Sequence, residues 1–359
     1  MTVARGFGIS DSPALPGGVR RPRHAQLCSV LLALLLSVTG CQAAVPDRRT
    51  EVDRLGHQLG AMRGVQSIHA DYVNDPNRGA VLFSIHADVA DDASADQAAA
   101  VVTRYLHDLG TGTYRGYAAE LDLRRGWNVF AVDSGDQPLA NPDQIIGQAR
   151  DWVNLGHAFA AATVSLRATI AHPSGTLTRQ EAGRSNVASV KLADTADATT
   201  VADAVSIVAA RFAHLAGMDW TVSAGKQPTQ MVFSRRVPTP AELDVWRQLN
   251  ADQRIPHVDM MRINGPVTPP VWISEKTTAS HDVAVALQLA ARHLPIAAKL
   301  TTPLLYSASD QLFGHIGGYG MARGPVAVTI GGCTPRDPRV YQPTPAELVL
   351  IRKYATCKR

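Results

Sequence analysis

The five-residue sequence SIHAD occurs at Ser67–Asp71 and again at Ser84–Asp88. Within each copy a histidine and an aspartate are two residues apart, so both side chains share one face if the segment is a strand. A hairpin with His69 opposite His86 would place two imidazoles beside carboxylates, a group that can bind zinc or respond to pH. Zinc sites use three or four ligands, however, and this alternation is also typical of a solvated sheet face. We expect a solvated face and no cofactor, and we keep His69 and His86 as the candidate metal ligands.

A glycine-rich segment, GHIGGYGMARG at Gly314–Gly324, is a candidate binding loop. It lacks the glycine order of a phosphate-binding loop, and no apolar strand leads into it. A long hairpin loop also explains the composition, and long loops often carry binding residues. The candidate contact residues in it are His315, Tyr319 and Arg323.

The common catalytic motifs are absent from the sequence: G-x-S-x-G, H-E-x-x-H, a Walker sequence and C-x-x-C. Two further histidines, His107 and His293, fall late in helical patterns, where we expect exposed side chains near a helix C-terminus. These features favour a non-catalytic binding or scaffold module. The alternative is an extracytoplasmic hydrolase with its site in a cleft between repeats, although no nucleophile–base pair can be identified.

The N-terminal residues have the pattern of an export signal. A basic segment, Arg20–Arg23, precedes the apolar run Ala25–Gly40. This run is shorter than the ~20 residues that a membrane-spanning helix needs. It is therefore interpreted as the apolar core of a signal peptide that does not belong to the folded domain.

The apolar run ends in the sequence VTGC, formed by Val38, Thr39, Gly40 and Cys41. This sequence resembles the lipobox of bacterial lipoproteins. The resemblance implies that Cys41 carries a diacyl lipid and becomes the first residue of the mature chain. The protein would then be a cell-membrane lipoprotein held on the extracytoplasmic face. An ordinary secretory signal that contains a cysteine is the alternative reading.

Two cysteines, Cys333 and Cys357, remain in the rest of the chain. Cysteine pairs outside the cytoplasm usually form disulfides, so we expect this pair to be bonded, with two free thiols as the alternative. A disulfide requires Cα atoms within about 7 Å. A straight helix of about twelve residues spans ~18 Å, so the chain between the two cysteines or the C-terminal tail must fold back.

The net charge indicates the kind of partner. The chain has 35 Lys+Arg and 31 Asp+Glu, of which four arginines and one aspartate lie in residues 1–41, leaving 31 and 30. A nearly neutral mature chain does not favour nucleic acid, which requires a basic patch. We expect the membrane, through the lipid, and an envelope protein, lipid or wall component as partners. The many alanines and arginines are typical of a GC-rich bacterium such as an actinobacterium.

Patterns of hydrophobicity predict alternating pairs of strands and single helices. A lead helix over 47–62 precedes the strands Ser67–Val73 and Ala80–Val89, and a helix follows at Ser94–Leu109. The order α-β-β-α-β-β over Val52–Val132 is similar to that of BON domains. Those are envelope modules, so the similarity implies association with membranes or phospholipids.

The hexapeptide PTPAEL occurs at Pro238–Leu243 and at Pro343–Leu348. Threonine, proline and glutamate at these positions form a helix start, with a capping box between the threonine and the glutamate. A looser copy begins at Asn141. The three copies predict the last helix of three similar units, each with the order β-β-α-β-β-α.

We therefore expect an α+β protein of three tandem ββαββα repeats, a circular permutation of the ferredoxin-like order. Each repeat would form an antiparallel sheet with helices on one face. The expected divisions are the signal peptide at 1–40, the anchor and linker at 41–47, the lead helix with the first repeat at 48–160, and the later repeats at 161–252 and 253–359.

Overall fold

The structure, a computed structural model, describes residues 45–356 apart from nine short segments. Those segments are 136–140, 172–185, 226–228, 266–267, 311–314, 317–321, 324–325, 334–338 and 340–341. The predicted signal peptide, the lipobox with Cys41, and also Tyr319 and Cys357 lie outside the described residues. The compact unit runs from Asp47 to Arg359.

The described residues form seven α-helices and fourteen strands. The helices are α1 (Arg49–Gly60), α2 (Ala95–Gly110), α3 (Pro142–Ala158), α4 (Ala198–Arg211), α5 (Pro240–Ala251), α6 (Val283–Ala297) and α7 (Pro345–Tyr354). The first seven strands are β1 (Val65–Asp75), β2 (Ala80–Val89), β3 (Ala118–Arg125), β4 (Asn128–Gly135), β5 (Thr163–Ala171), β6 (Val187–Lys191) and β7 (Asp219–Ser223). The others are β8 (Gln230–Phe233), β9 (His257–Ile263), β10 (Val271–Thr277), β11 (Leu304–Ser309), β12 (His315–Ile316), β13 (Ala322–Arg323) and β14 (Val326–Ile330).

Twelve strands form one sheet in the order of the chain, β1 to β11 followed by β14, while β12 and β13 form a separate pair. Strands joined by a turn are antiparallel, as in β1–β2 and β3–β4. Strands separated by a helix are parallel, as in β2–β3 and β4–β5. The sheet is therefore mixed, and the prediction of antiparallel sheets was wrong.

The physical reason lies in the helical connections. A helix that follows a strand returns the chain to its starting end, so the next strand runs parallel. In the ferredoxin-like order such parallel strands are split by a strand between them. Here the parallel strands are direct neighbours, so the permuted ferredoxin-like topology was also wrong.

The helices pack on one face of this sheet. Each helix from α2 to α6 connects two neighbouring parallel strands, and such connections are right-handed. Because every connection here leads to the next strand in the same direction across the sheet, the connecting helices lie on the same face. The side chains agree, since Trp152 of α3 meets Phe130 of β4 and His293 of α6 meets Glu275 of β10. Three tryptophans between the sheet and the helices, Trp152, Trp220 and Trp246, are fully buried in the core.

The predicted helix starts are confirmed. The Thr239 hydroxyl accepts a hydrogen bond from the Glu242 amide at 3.3 Å, and the Thr239 amide donates one to the Glu242 carboxylate at 2.6 Å. Thr344 forms the same capping box with Glu347. Asn141 caps α3 by accepting from the Gln144 amide at 2.8 Å.

The order of two strands and one helix continues from β1 to α7. It can be divided into three units of ββαββα or six units of ββα, so the predicted threefold division does not follow from the order alone. The sheet also crosses both predicted boundaries between repeats, because β4 pairs with β5 and β8 pairs with β9.

Candidate functional site

The first site is the side of the sheet opposite the helices, which we call the open sheet face. The β1–β2 register places His69 directly opposite His86, as the sequence predicted. Their rings stack with centroids 6.4 Å apart. The His69 side chain is 72 % exposed, so this face is solvated at the edge of the sheet.

Carboxylates and an arginine surround the two histidines. Asp71 lies 3.1 Å from His69 Nε2 and 3.6 Å from His86 Nε2. On the neighbouring strand, Asp122 lies 3.1 Å from His86 Nδ1 and accepts a hydrogen bond from Arg124 at 2.9 Å. These side chains therefore bind one another in a polar network. Such networks are typical of a solvated sheet face.

A second charged group continues the network across β3, β4 and β5. Arg167 Nη1 donates to Asp133 at 3.1 Å, and Arg167 Nη2 lies 3.8 Å from Glu120. Thr169 donates its hydroxyl to Asp133. Burial raises the pKa of both carboxyl groups above their usual range, and the guanidinium of Arg167 opposes that rise.

Farther along the sheet the open face becomes rich in hydroxyl groups. Ser165, Ser189 and Thr221 are cross-strand neighbours on β5, β6 and β7, and each is partly exposed. The row continues through Val232 and Arg262. At β11 the same side is buried, because every residue from Leu304 to Ser309 is buried. The open sheet face therefore runs from β1 to β10.

The candidate loop residues are only partly described. His315 lies in β12 and Arg323 in β13, and the two strands pair antiparallel with these residues opposite each other. This pairing agrees with a hairpin in the segment. Tyr319 lies outside the described residues, so the proposed contact surface stays a prediction.

The predicted disulfide also stays a prediction, because Cys357 lies outside the described residues. The preceding residue, Thr356, donates its backbone amide to Gly332 O at 2.9 Å. Gly332 directly precedes Cys333, so the chain returns at Thr356 to the vicinity of Cys333, which agrees with the predicted disulfide.

The second site lies on the helix side of the sheet, and sequence reasoning missed it. His257 and Asp259 of β9, Glu275 of β10 and His293 of α6 form what we call the His–carboxylate cluster. All four residues are buried, with at most 5 % of each exposed. Among the described residues, this cluster supplies the one group of three or more potential metal ligands whose donor atoms converge: those of His257, Glu275 and His293 lie within 4.8 Å of one another.

Hydrogen bonds fix the orientation of three of these side chains. His257 Nδ1 donates to Ile255 O at 2.7 Å, which leaves Nε2 with a free lone pair. His293 Nδ1 lies 2.8 Å from Glu275 Oε1. Tyr306 of β11 donates its hydroxyl to Glu275 Oε2. The two imidazole rings meet edge to face, with centroids 5.0 Å apart.

Several polar atoms of the cluster have no hydrogen bond of normal geometry. They are Nε2 of His257, Nε2 of His293 and both carboxyl oxygens of Asp259, although the Asn250 side chain lies near Asp259. Buried polar atoms are nearly always paired, because an unpaired group costs about 1–3 kcal/mol. Four such atoms in one cluster therefore require an explanation.

Burial also shifts the ionisation of the cluster. It raises the pKa of Glu275 to about 8 and raises that of Asp259 well above its ordinary value, with the nearby Glu275 charge adding to the effect. Burial likewise lowers the pKa of His257 and His293. Uncharged side chains are favoured at this position unless a cation is present.

The expectation that His293 is an exposed helix-end cation was wrong. It is fully buried, because α6 continues past it to Ala297 and turns this side chain toward Glu275. One sequence signal could have revealed the cluster. In both β9 and β10 the period-two positions that hold apolar core residues, such as Met261 and Ile273, also include Asp259 and Glu275.

Among the described residues, no helix is both long and apolar enough to cross a membrane. No protein-family model, curated protein or solved structure matches the chain.

Proposed function

We propose that this protein is a lipid-anchored envelope lipoprotein that acts as a non-catalytic binding or scaffold module, with the open sheet face as its binding surface. The observation that carries the proposal is the open face itself. Parallel strands normally occur in sheets that are covered on both faces. This sheet has five parallel pairs, and from β1 to β10 its second face still presents polar side chains to solvent.

The position of the fold along the chain supports a location beside the membrane. The compact unit begins at Asp47, so five residues separate it from Cys41. An extended chain of this length spans at most about 20 Å. The start of the unit is fixed to β1, since Tyr72 donates to Asp47 at 2.6 Å and accepts from the Arg48 amide at 2.8 Å.

The chemistry of the open sheet face favours a polar partner. Hydroxyl groups such as Ser189 and Thr221 alternate with charged side chains such as Arg167 and Lys191. These groups form hydrogen bonds and ion pairs, which suit an envelope protein or a wall polymer better than lipid chains. The balanced charge supports the same conclusion and does not favour nucleic acid.

The hydrolase alternative rests on a cleft between α5 and the turn before β11, lined by residues that include Arg236, Glu242, Lys299 and Thr302. The cleft lies between the second and third proposed repeats. Two of its charged groups are already paired, since Nη1 and Nη2 of Arg236 each donate to Glu242 at 2.7 Å. We therefore prefer the binding role. A BON-like association with membrane lipid is the remaining alternative.

The threefold division into ββαββα units is part of the proposal. It is supported by the three matched helix starts at Asn141, Thr239 and Thr344. In this view the open sheet face is a repetitive surface built by similar units side by side, an arrangement that other repeat proteins use to bind extended partners.

Site-specific crosslinking in living cells tests the proposed surface. A photoreactive amino acid replaces Ser189 on the open sheet face, and in a matched control it replaces Gln248, a similarly half-buried residue of α5 on the helix side of the sheet. We expect discrete crosslinked products from position 189 after irradiation, and few from position 248. Equal crosslinking at both positions, or none at position 189, would show that the open sheet face is not the binding surface.

A further inference from the structure

We propose that His257, Glu275 and His293 form a buried binding site for one divalent transition-metal ion, with Zn²⁺ as the best-suited ion. The donor set is two imidazoles and a carboxylate. Imidazole and carboxylate ligands suit zinc and its first-row neighbours, and two histidines with one glutamate bind zinc in one class of enzyme, where a fourth ligand completes the tetrahedron. The proposed site is independent of the open sheet face and of the lipid anchor.

To bind a metal ion, the three donor atoms need to move only slightly closer together. The three donor atoms lie within 4.8 Å of one another. Bonds of about 2.0–2.1 Å in a tetrahedral site place neighbouring ligand atoms about 3.4 Å apart. Small changes in side-chain torsions can supply the difference, because each donor lies at the end of a side chain that points into the same space.

The orientation of His257 matches that of a metal ligand. A ligating histidine usually donates its other ring N–H to a backbone carbonyl or a carboxylate, which fixes the ring and the tautomer. His257 does this through Nδ1 to Ile255 O, at 2.7 Å. Its Nε2 is buried, has no hydrogen bond and faces the cluster, with Asp259 Oδ1 3.6 Å away.

A cation would also provide a partner for unpaired polar atoms of the cluster. Two buried carboxyl groups, those of Asp259 and Glu275, lie in the cluster. A divalent ion balances two carboxylate charges and takes up lone pairs that no hydrogen-bond donor satisfies. In the structure, Nε2 of both histidines and both oxygens of Asp259 have no hydrogen bond of normal geometry, and their nearest charged neighbours lie at 3.6 Å or more.

The surroundings indicate a structural ion. The side chains of His257, Glu275 and His293 have no exposed surface, and Asp252 at the rim of the cluster is only 16 % exposed. Catalytic zinc sites keep an open position for water or substrate, whereas structural sites are closed and four-coordinate. The buried carboxylate of Asp259, whose Oδ1 lies 3.6 Å from His257 Nε2, is the candidate for the fourth ligand. The three ligands come from β9, β10 and α6, so a bound ion would tie these three elements together.

Metal analysis of the purified full-length chain in detergent tests this site. The protein is treated with a chelator, dialysed against ZnCl₂, and its bound metal is measured by mass spectrometry, with MgCl₂ as the comparison. CoCl₂ replaces ZnCl₂ in a second sample, because bound Co²⁺ reports its coordination by visible absorption. We expect one tightly held Zn²⁺ per chain, a Co²⁺ spectrum typical of nitrogen and oxygen ligands, and no retained Mg²⁺, which prefers oxygen ligands.

Variants assign the bound ion to the cluster. Glu275→Gln and His293→Gln should abolish retention of Zn²⁺, whereas His69→Gln and His86→Gln on the open sheet face should retain it. Tyr306→Phe removes the hydroxyl that orients Glu275 and should weaken Zn²⁺ binding on the order of tenfold. This near-isosteric variant provides the test if the other cluster variants do not fold, which circular dichroism would reveal.

The proposal is overturned if the wild-type chain retains no Zn²⁺ after dialysis. It is also overturned if retention is unchanged in Glu275→Gln or in His293→Gln, or if Tyr306→Phe binds Zn²⁺ as tightly as the wild type in competition with a chelator. Loss of retention in His69→Gln or His86→Gln alone would move the metal to the open sheet face and reject the buried site.

Discussion

At the scale of single residues, Glu242 shows how a local signal also takes part in tertiary pairing. It belongs to the capping box of α5 and is 3 % exposed. Burial alone would raise its pKa. The two hydrogen bonds from Arg236 and the amide of Thr239 outweigh that effect and hold the pKa of Glu242 below its usual value. The charged form is therefore favoured in the folded state.

We expect Glu242→Gln to reduce stability most at neutral pH. Glutamine can still cap the helix but loses the charge that pairs with Arg236, so the free energy of unfolding should fall by about 1 kcal/mol at pH 7. Because the folded-state pKa is lowered, the stabilisation is present above the ordinary glutamate pKa and is lost as pH falls through the folded-state pKa. Urea unfolding of both proteins at several pH values measures this difference.

The matched control for this change is Glu51→Gln, which removes a more exposed partner of Arg48. It should have a smaller effect, because exposed pairs are screened by solvent. A difference between wild type and Glu242→Gln that does not shrink toward acid pH would contradict the assigned role of the charge.

At the scale of elements, backbone contacts between turns hold the middle of the sheet in register. Gly225 follows β7 and donates its amide to Ala193 O at 3.2 Å. Leu192 donates to Ser223 O at 2.9 Å beside it. A Cβ atom added at Gly225 would lie 2.6 Å from the backbone of Asp194. The turn after β6 and the end of β7 therefore pack too closely for any side chain.

We expect Gly225→Ala to destabilise the protein by about 2–3 kcal/mol, because the clash is with backbone atoms that cannot rotate away. Gly147→Ala is the matched control. Gly147 lies inside α3 and a Cβ there would meet no atom within 4 Å, so this change should stabilise by about 0.5–1 kcal/mol. Thermal and urea unfolding measure both, and a loss of stability in Gly147→Ala or none in Gly225→Ala would contradict the packing described.

At the scale of the whole molecule, the proposed binding surface, the packed core and the proposed anchor lie in separate parts of the chain. One side of the continuous sheet packs against the helices and holds the His–carboxylate cluster, and the other side is open from β1 to β10. The proposed anchor at Cys41 precedes the compact unit, which begins at Asp47. A change at the anchor should therefore alter location without altering the fold.

We expect Cys41→Ser to release the protein from the membrane into the medium, because the lipid on Cys41 is the proposed membrane anchor. Cell fractionation and immunoblotting measure the distribution. Cys28→Ser changes a cysteine within the apolar run and should leave the protein in the membrane fraction. Retention of Cys41→Ser in that fraction would reject the lipobox interpretation.

The sequence by itself determined the local features. The helix starts at Thr239 and Thr344 could be predicted because a capping box involves residues only three apart. The pairing of His69 with His86 could be predicted because a short turn fixes the register of a hairpin. The alternation of strands and helices was likewise predicted, since each element has its own hydrophobic period.

Only the tertiary structure decided how these elements pair. Whether strands separated by a helix are parallel neighbours depends on crossovers and packing that no single segment encodes, and this pairing unites the predicted units in one mixed sheet. The same pairing brings Glu275 to His293, 18 residues later, and both of them to His257. The cluster could not be predicted from spacing, because its side chains meet only when β9, β10 and α6 have packed together.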